Sequence, residues 1–345
     1  MGRGVRYLVL LVTAICACAY EARACDLCAV YSSVESYKPS AGRVQSGLAE
    51  QFTEYGKIQS EGHHLHNEHH QRLSSSISQV YVSYDPIDRL SLQLTVPYLN
   101  RRFKRVEGGV VEQGTEAGLG DLSLVARLLA YQHSQAEFLF NLQVLGGVKL
   151  PTGDTDRLAE ELEEESAMPD DGVVAEPVHS YMTRHAGHEH GEEQLASAVH
   201  GHDLALGSGS VDFPVGVGFL AEQGRAFLSG NLVYTVRTNG DHQYEYADDL
   251  AWDIGPAYYL YLSHTSSTAL RAVLSGEHKG NDRGAGGKLA TDTALNTLKL
   301  GPQLIVRVSD NLAAEIALEM PLDIDNSGTQ TVQSYRLQTA LTLTF

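Results

Sequence analysis

From about Arg43 to the C-terminus, apolar and polar residues alternate one by one in run after run. The last run shows it most clearly. Tyr335, Leu337, Thr339, Leu341, Leu343 and Phe345 fall on one face, and Arg336, Gln338, Ala340, Thr342 and Thr344 on the other. A period of two is the mark of a strand with two unlike faces. One such strand decides nothing, because a half-buried strand of a soluble protein reads the same way. The repetition decides more. Similar runs occur at about 43–59, 73–85, 89–104, 118–131, 136–151, 209–222, 225–239, 249–263, 267–279, 291–308, 311–324 and 331–345, twelve in all.

The connections between these runs alternate in length. Residues 85–88, 132–135, 222–225, 263–267 and 309–311 read as tight turns. Residues 60–72, 105–117, 152–208, 240–248, 280–290 and 325–330 read as longer polar loops. Short turns at one end and long loops at the other are the wiring of an up-and-down transmembrane barrel, and an even strand count leaves both termini at the short-turn end. A β-sandwich has no need of that alternation. The chain is therefore expected to be all-β: an antiparallel up-and-down transmembrane β-barrel of about 12 strands, with 152–208 as a long, acidic, disordered outer loop. Hydrocarbon offers no water to exposed peptide groups, and a closed sheet pairs them all without an edge. Two features fit less well. Pro256 and Pro302 remove ladder donors from their strands, and in 43–59 Glu50 shares a face with Phe52.

The polar parity of each strand supplies a lumen lining: Asp121, Arg127, Glu137, Lys149, Asp212, Arg237, Asp253, Arg271, Glu277, Lys299, Arg307, Glu315, Glu319 and Arg336. The two signs balance. Such charges either set the selectivity of an aqueous path or close a narrow barrel with structural ion pairs.

The N-terminus breaks the pattern. Arg3 and Arg6 precede a short apolar stretch, Tyr7 to Ala19, followed by Ala22-Arg23-Ala24. That is the build of a signal peptide, cleaved after Ala24. Cleavage would shift the net charge from −18 to −20. So acidic a chain is not expected to partner nucleic acid. Residues 25–42 would then form an N-terminal periplasmic segment ahead of a barrel at 43–345. Cys16 and Cys18 would leave with the signal. Cys25-Asp26-Leu27-Cys28 would remain in an oxidising compartment, as a disulfide, half a metal site or an acylation site. Ala29 stands where a c-type haem motif needs histidine.

Eleven of the fifteen histidines fall in two of the long loops. His63, His64, His66, His69 and His70 lie in the first, and His179, His185, His188, His190, His200 and His202 in the third, among several carboxylates. Imidazole with carboxylate suits Zn²⁺, Cu²⁺ or Ni²⁺, so ten of these (all but His179) are candidate ligands for a divalent metal on the outer loops. The alternative is a solvated low-complexity loop. No cofactor is required by any other motif.

Three short segments carry a resemblance. Leu94-Thr95-Val96-Pro97-Tyr98, Gly118-Leu119-Gly120-Asp121-Leu122-Ser123-Leu124 and Gly147-Val148-Lys149-Leu150-Pro151-Thr152-Gly153 resemble, in order and spacing, the outer-membrane transporters named for phenol meta-pathway degradation operons. The terminal Phe345 resembles the aromatic that outer-membrane barrels present to their assembly machinery. The resemblance implies a channel or transporter for small solutes in the outer membrane of a Gram-negative-type bacterium. Its expected partners are outer-membrane lipid, the barrel-assembly machinery, and a small solute or metal ion. The histidine-rich loops and the cysteine pair depart from that pattern. A non-transporting barrel serving as a surface metal-binding or structural scaffold is the alternative. An enzyme is not expected, because no Ser/His constellation shares a parity and height.

Overall fold

In the computed structural model, residues 39–107, 109–162 and 197–345 are described; the expected signal peptide, the Cys25/Cys28 pair, His179, His185, His188 and His190 lie outside them. Twelve antiparallel strands close on themselves. The wall is formed by β1 (Val44–Ser60), β3 (Arg72–Ile87), β4 (Leu90–Glu107), β6 (Leu122–Gln135), β7 (Phe138–Leu150), β8 (Phe213–Gln223) and β9 (Ala226–Val236). It continues through β10 (Asp249–Leu262), β11 (Ser267–Lys279), β12 (Leu295–Ser309), β13 (Leu312–Asn326) and β14 (Thr329–Thr344). β14 pairs with β1 from Gln45↔Thr344 to Ser60↔Thr329 and seals the seam. Two further segments extend the wall at the loop end: β2 (His63–Leu65) on β1, and β5 (Val110–Leu119) on β4. β5 and β6 are one barrel strand interrupted at Gly120-Asp121.

Burial is inverted relative to a soluble protein. Val80, Val82, Leu94, Leu124, Val217, Leu260, Ile316 and Leu341 are exposed on the outside, while Gln51, Gln79, Ser123, Arg127, Asn141, Lys299 and Arg336 are buried inside. The pleat sends successive side chains to opposite faces, so the alternation in the sequence becomes an apolar outer surface and a polar interior.

Two expected loops are not loops. Residues 105–117 form a long hairpin that turns between Glu107 and Val110, and β13 and β14 are joined by Ser327-Gly328 alone. The 105–117 strands rise past the apolar band, where both faces are polar and the period of two is no longer visible as hydrophobicity. Gly328 takes a left-handed φ of 58° in this turn, a conformation open to glycine at no steric cost. The prolines sit where the ladder opens. The β10–β11 pairing skips residues 255 and 256, and the β12–β13 pairing skips 301 and 302. Glu50 does face outward with Phe52, and its carboxylate accepts hydrogen bonds from the Ser76 and Ser78 hydroxyls of β3.

Candidate functional site: a charged lumen under an inward-folded plug

The flanks of the long loop do not extend into solvent, as its composition suggested. Residues 151–162 and 197–212 fold back into the barrel mouth. Leu158, Ala198, Val199 and Leu204 are fully buried there. The wall and the 240–248 connection receive them with apolar and aromatic side chains that a water-filled pore would not carry. Leu73 and Phe103 pack on Val199 and Leu204, Ile77 and Leu99 on Leu206, and Tyr244 and Tyr246 on Leu158 and Ala205. Polar groups fix the same segment. Arg101 donates to the carbonyls of Asp203 and Ala205. Tyr246 donates to the carbonyl of His202 at 2.9 Å, and Gln71 accepts from the amide of Ala198 at 3.1 Å.

A line of alternating charges ties the plug to the wall. Lys149 lies 3.0 Å from Asp121 and 3.1 Å from Asp212. Arg237 reaches Asp212 at 2.8 Å and Asp249 at 2.7 Å. Asp121 also accepts from the amides of Thr152, Gly153 and Ser208 and from the Ser208 hydroxyl, at 2.8–3.1 Å. All three motif segments meet here. The Gly120 amide donates to the Pro97 carbonyl, and Asp121 caps the turn at Thr152-Gly153. Two glycines allow the close approach: a Cβ on Gly207 would lie 2.7 Å from both Asp121 Oδ1 and Gly153 Cα. The motifs thus build the anchor of a plug.

His200 and His202, expected as metal ligands in a solvated loop, are instead buried within it. Their rings stack at 5.5 Å, and His202 stacks on Tyr244 at 6.1 Å. His202 Nδ1 lies 2.9 Å from Glu161. Burial disfavours the imidazolium, but the Asp203 and Glu161 carboxylates outweigh it and push His202 up to about 10. Burial likewise opposes ionisation of Glu161, yet the charge and hydrogen bonds of His202 hold it down at about 2. The pair is therefore an ion pair at neutral pH. His63, His64, His66 and His70 project into solvent and His69 is half-buried. Among the described residues no three His, Cys, Asp or Glu side chains converge as metal ligands.

Beneath the plug the lumen holds a cavity of about 250 Å³, lined among others by Arg127, Asp253, Arg271, Glu315, Glu319 and Arg336. Arg271 pairs with Asp253 at 2.5 Å, and Lys299 and Arg336 share Glu277, with Lys299 at 2.5 Å. Glu319 accepts from Ser275, Glu315 from Gln303, and Gln93 accepts from Arg127. Of the lumen residues expected from parity, Asp121, Lys149, Asp212 and Arg237 form the anchor. Arg307 is half-buried on the inner face of β12. Glu137 lies elsewhere: it is exposed in the turn between β6 and β7, where strand parity no longer applies. Sequence reasoning missed Thr152, Glu161, Ser208, Tyr244 and Tyr246, all in segments without alternation. Only the Pro-Thr-Gly turn after Lys149 signalled that chain geometry mattered there.

No family model matches the chain, and no curated protein sequence does. Solved structures do. The COG4313 outer membrane channel from Pseudomonas putida F1 superposes with a TM-score of 0.58 at 15% identity, covering 91% of this chain and 100% of that one. The β domain of the Bordetella autotransporter BrkA gives 0.40 at 9% identity, covering 88% and 100%. A Pseudomonas aeruginosa FadL homologue gives 0.37 at 8% identity, covering 88% of this chain and 90% of that one. The barrel fold is shared with the P. putida channel.

Proposed function

We propose that the protein is an integral outer-membrane channel for small solutes, kept closed at its outer mouth by the plug formed from 151–162 and 197–212. One observation carries this reading: an apolar outer wall surrounds a charged cavity of about 250 Å³. An apolar exterior is costly in water and costless in lipid, whereas a lumen lined by Arg127, Asp253, Arg271 and Glu315 is hydrophilic. On this reading the short turns face the periplasm and the His63–His70 hairpin faces outward, with any divalent-metal association confined to that exposed loop. The similar P. putida channel supports the solute-transport class. The motif resemblance to phenol meta-pathway transporters carries the transport class and not the cargo, for which metal ions and hydrophobic compounds are the candidates to try.

The scaffold reading draws on a different observation. Among the described residues, the anchor and plug pack into the loop end of the barrel, and a barrel permanently closed there would not conduct. Planar-bilayer recordings of the refolded chain separate the two. With 154–206 replaced by a short Gly-Ser linker, the channel reading expects conductance to rise at least several-fold over the intact protein. Silence in both forms, from protein that still shows the heat-shifted gel mobility of a folded barrel, would leave the scaffold.

A further inference from the structure

The basic run Arg101-Arg102-Phe103-Lys104-Arg105 is divided by the pleat of β4. Arg101 and Arg105 point inward and are occupied, Arg101 by two plug carbonyls and Arg105 by Glu112 at 2.7 Å and Glu160 at 2.9 Å. Arg102 and Lys104 point outward. Arg72 of β3 stands directly opposite Lys104, and Ser74 opposite Arg102. Arg72 and Arg102 are exposed and Lys104 is half-buried. None of these three cations enters an ion pair with the described residues, whereas Lys149, Arg237, Arg271, Lys299 and Arg336 all do. Glu54, on the same wall, accepts the Ser74 hydroxyl at 2.6 Å. Like charges facing each other across an antiparallel ladder repel. In a chain of net charge −18, a cationic trio is not the by-product of a general excess of base.

The height of the trio is informative. The outer face of β4 reads Leu92, Leu94, Val96, Tyr98, Asn100, Arg102, Lys104. Arg102 lies four residues beyond Tyr98, which is about 10 Å further along the membrane normal for a strand tilted near 40°. That is the depth of lipid headgroups, just above the hydrocarbon. Below the trio, Val80, Val82, Leu94 and Tyr98 offer an exposed apolar wall. Between the two, Ser74, Ser76 and Asn100 present hydroxyl and amide groups on the outer face.

We propose that Arg72, Arg102 and Lys104 form a binding site for the phosphate of an outer-leaflet lipid, whose acyl chains lie along Val80, Val82, Leu94 and Tyr98. This rests on the reading of the barrel as membrane-embedded. Guanidinium groups match phosphate oxygens in bidentate fashion, and a dianion between Arg72 and Lys104 turns their repulsion into attraction. Ser74 and Asn100 are placed to bond the sugar or glycerol that carries the phosphate.

The full chain, folded in detergent, is titrated with bisphosphorylated lipid A, with the same lipid stripped of phosphate, and with inorganic phosphate, bound lipid being read by native mass spectrometry. The phosphorylated lipid is expected to bind at least ten-fold more tightly than the stripped one, and millimolar inorganic phosphate to leave it in place. The variant R72Q/R102Q/K104Q should bind both lipids at the stripped-lipid level, with unchanged gel mobility and conductance. A control, R89Q/R225Q at the short-turn rim, should bind as wild type. Should the triple variant fold poorly, R102Q alone is expected to lose several-fold, and 0.5 M NaCl to weaken the unmodified protein. Equal binding of the two lipids, a variant that binds as wild type, or ready displacement by inorganic phosphate overturns the site. A protein without the heat-shifted mobility of a barrel fails the channel reading instead.

Discussion

At the scale of single residues, Asp121 does the most with one side chain. Its carboxylate takes Lys149 and four donors from Thr152, Gly153 and Ser208, so it joins wall and plug at one point. Removing it would leave Lys149 with Asp212 alone and take the acceptor from those four donors, and each buried donor left unsatisfied costs about 1–3 kcal/mol. Asp121→Ala is therefore expected to lower the urea midpoint of the refolded barrel and raise its mean conductance several-fold; unchanged conductance would show that the anchor does not hold the mouth shut. Gly207→Ala probes the same crossing by volume alone, since its Cβ would meet Asp121 and Gly153 at 2.7 Å. It should loosen the plug without altering any charge, visible as faster proteolysis within 154–206 while the wall stays protected. Glu50 carries a different lesson. A carboxylate on the outer face looks like an error in the pattern until the hydroxyls of Ser76 and Ser78 are seen beside it.

At the scale of elements, the plug is held by ionisation states as well as by packing. His202 is raised to about 10 from 6.5, so its contribution is complete below pH 6.5 and is lost as pH rises through 10. Glu161 is lowered to about 2 from 4.5, so its contribution is complete above pH 4.5 and is lost as pH falls through 2. Plug stability is then greatest between about 4.5 and 6.5 and declines on both sides. Conductance recorded from pH 3 to pH 10 is expected to be lowest in that window, rising gently at first and steeply at the extremes. His202→Gln also strips Glu161 of its partner and should flatten both limbs; a variant with the unaltered profile would assign the dependence to other groups. The elements themselves were legible to different degrees. The strands were readable wherever lipid-facing and lumen-facing positions differ in polarity. The continuation of β4 beyond Lys104 and its return as β5 were not, because Gln113 and Thr115 on the outer face are as polar as Arg105 and Glu112 on the inner.

At the scale of the whole molecule, closure is the decisive fact. The β1–β14 seam leaves no free wall edge, and Tyr81 fills the space beside Gly47 to reach Thr342 at 2.5 Å across it. An edge-free barrel unfolds as one unit, so heating should shift its gel mobility in a single step; a stepwise shift would mean that the wall is not closed by this seam. The sequence by itself determined the class of fold, the approximate number of strands, and which face of each strand is wet. Those follow from a local rule, the two-residue period of a pleated strand, expressed over and over by a chain with two different solvents to satisfy. Only the tertiary structure decided what folds into the mouth, which motif residues meet at Asp121, and that His200 and His202 are buried there. Those depend on contacts between residues far apart in the chain, such as Arg101 with Asp203 and Asp121 with Ser208, and no periodicity within a segment records where a distant segment will fold.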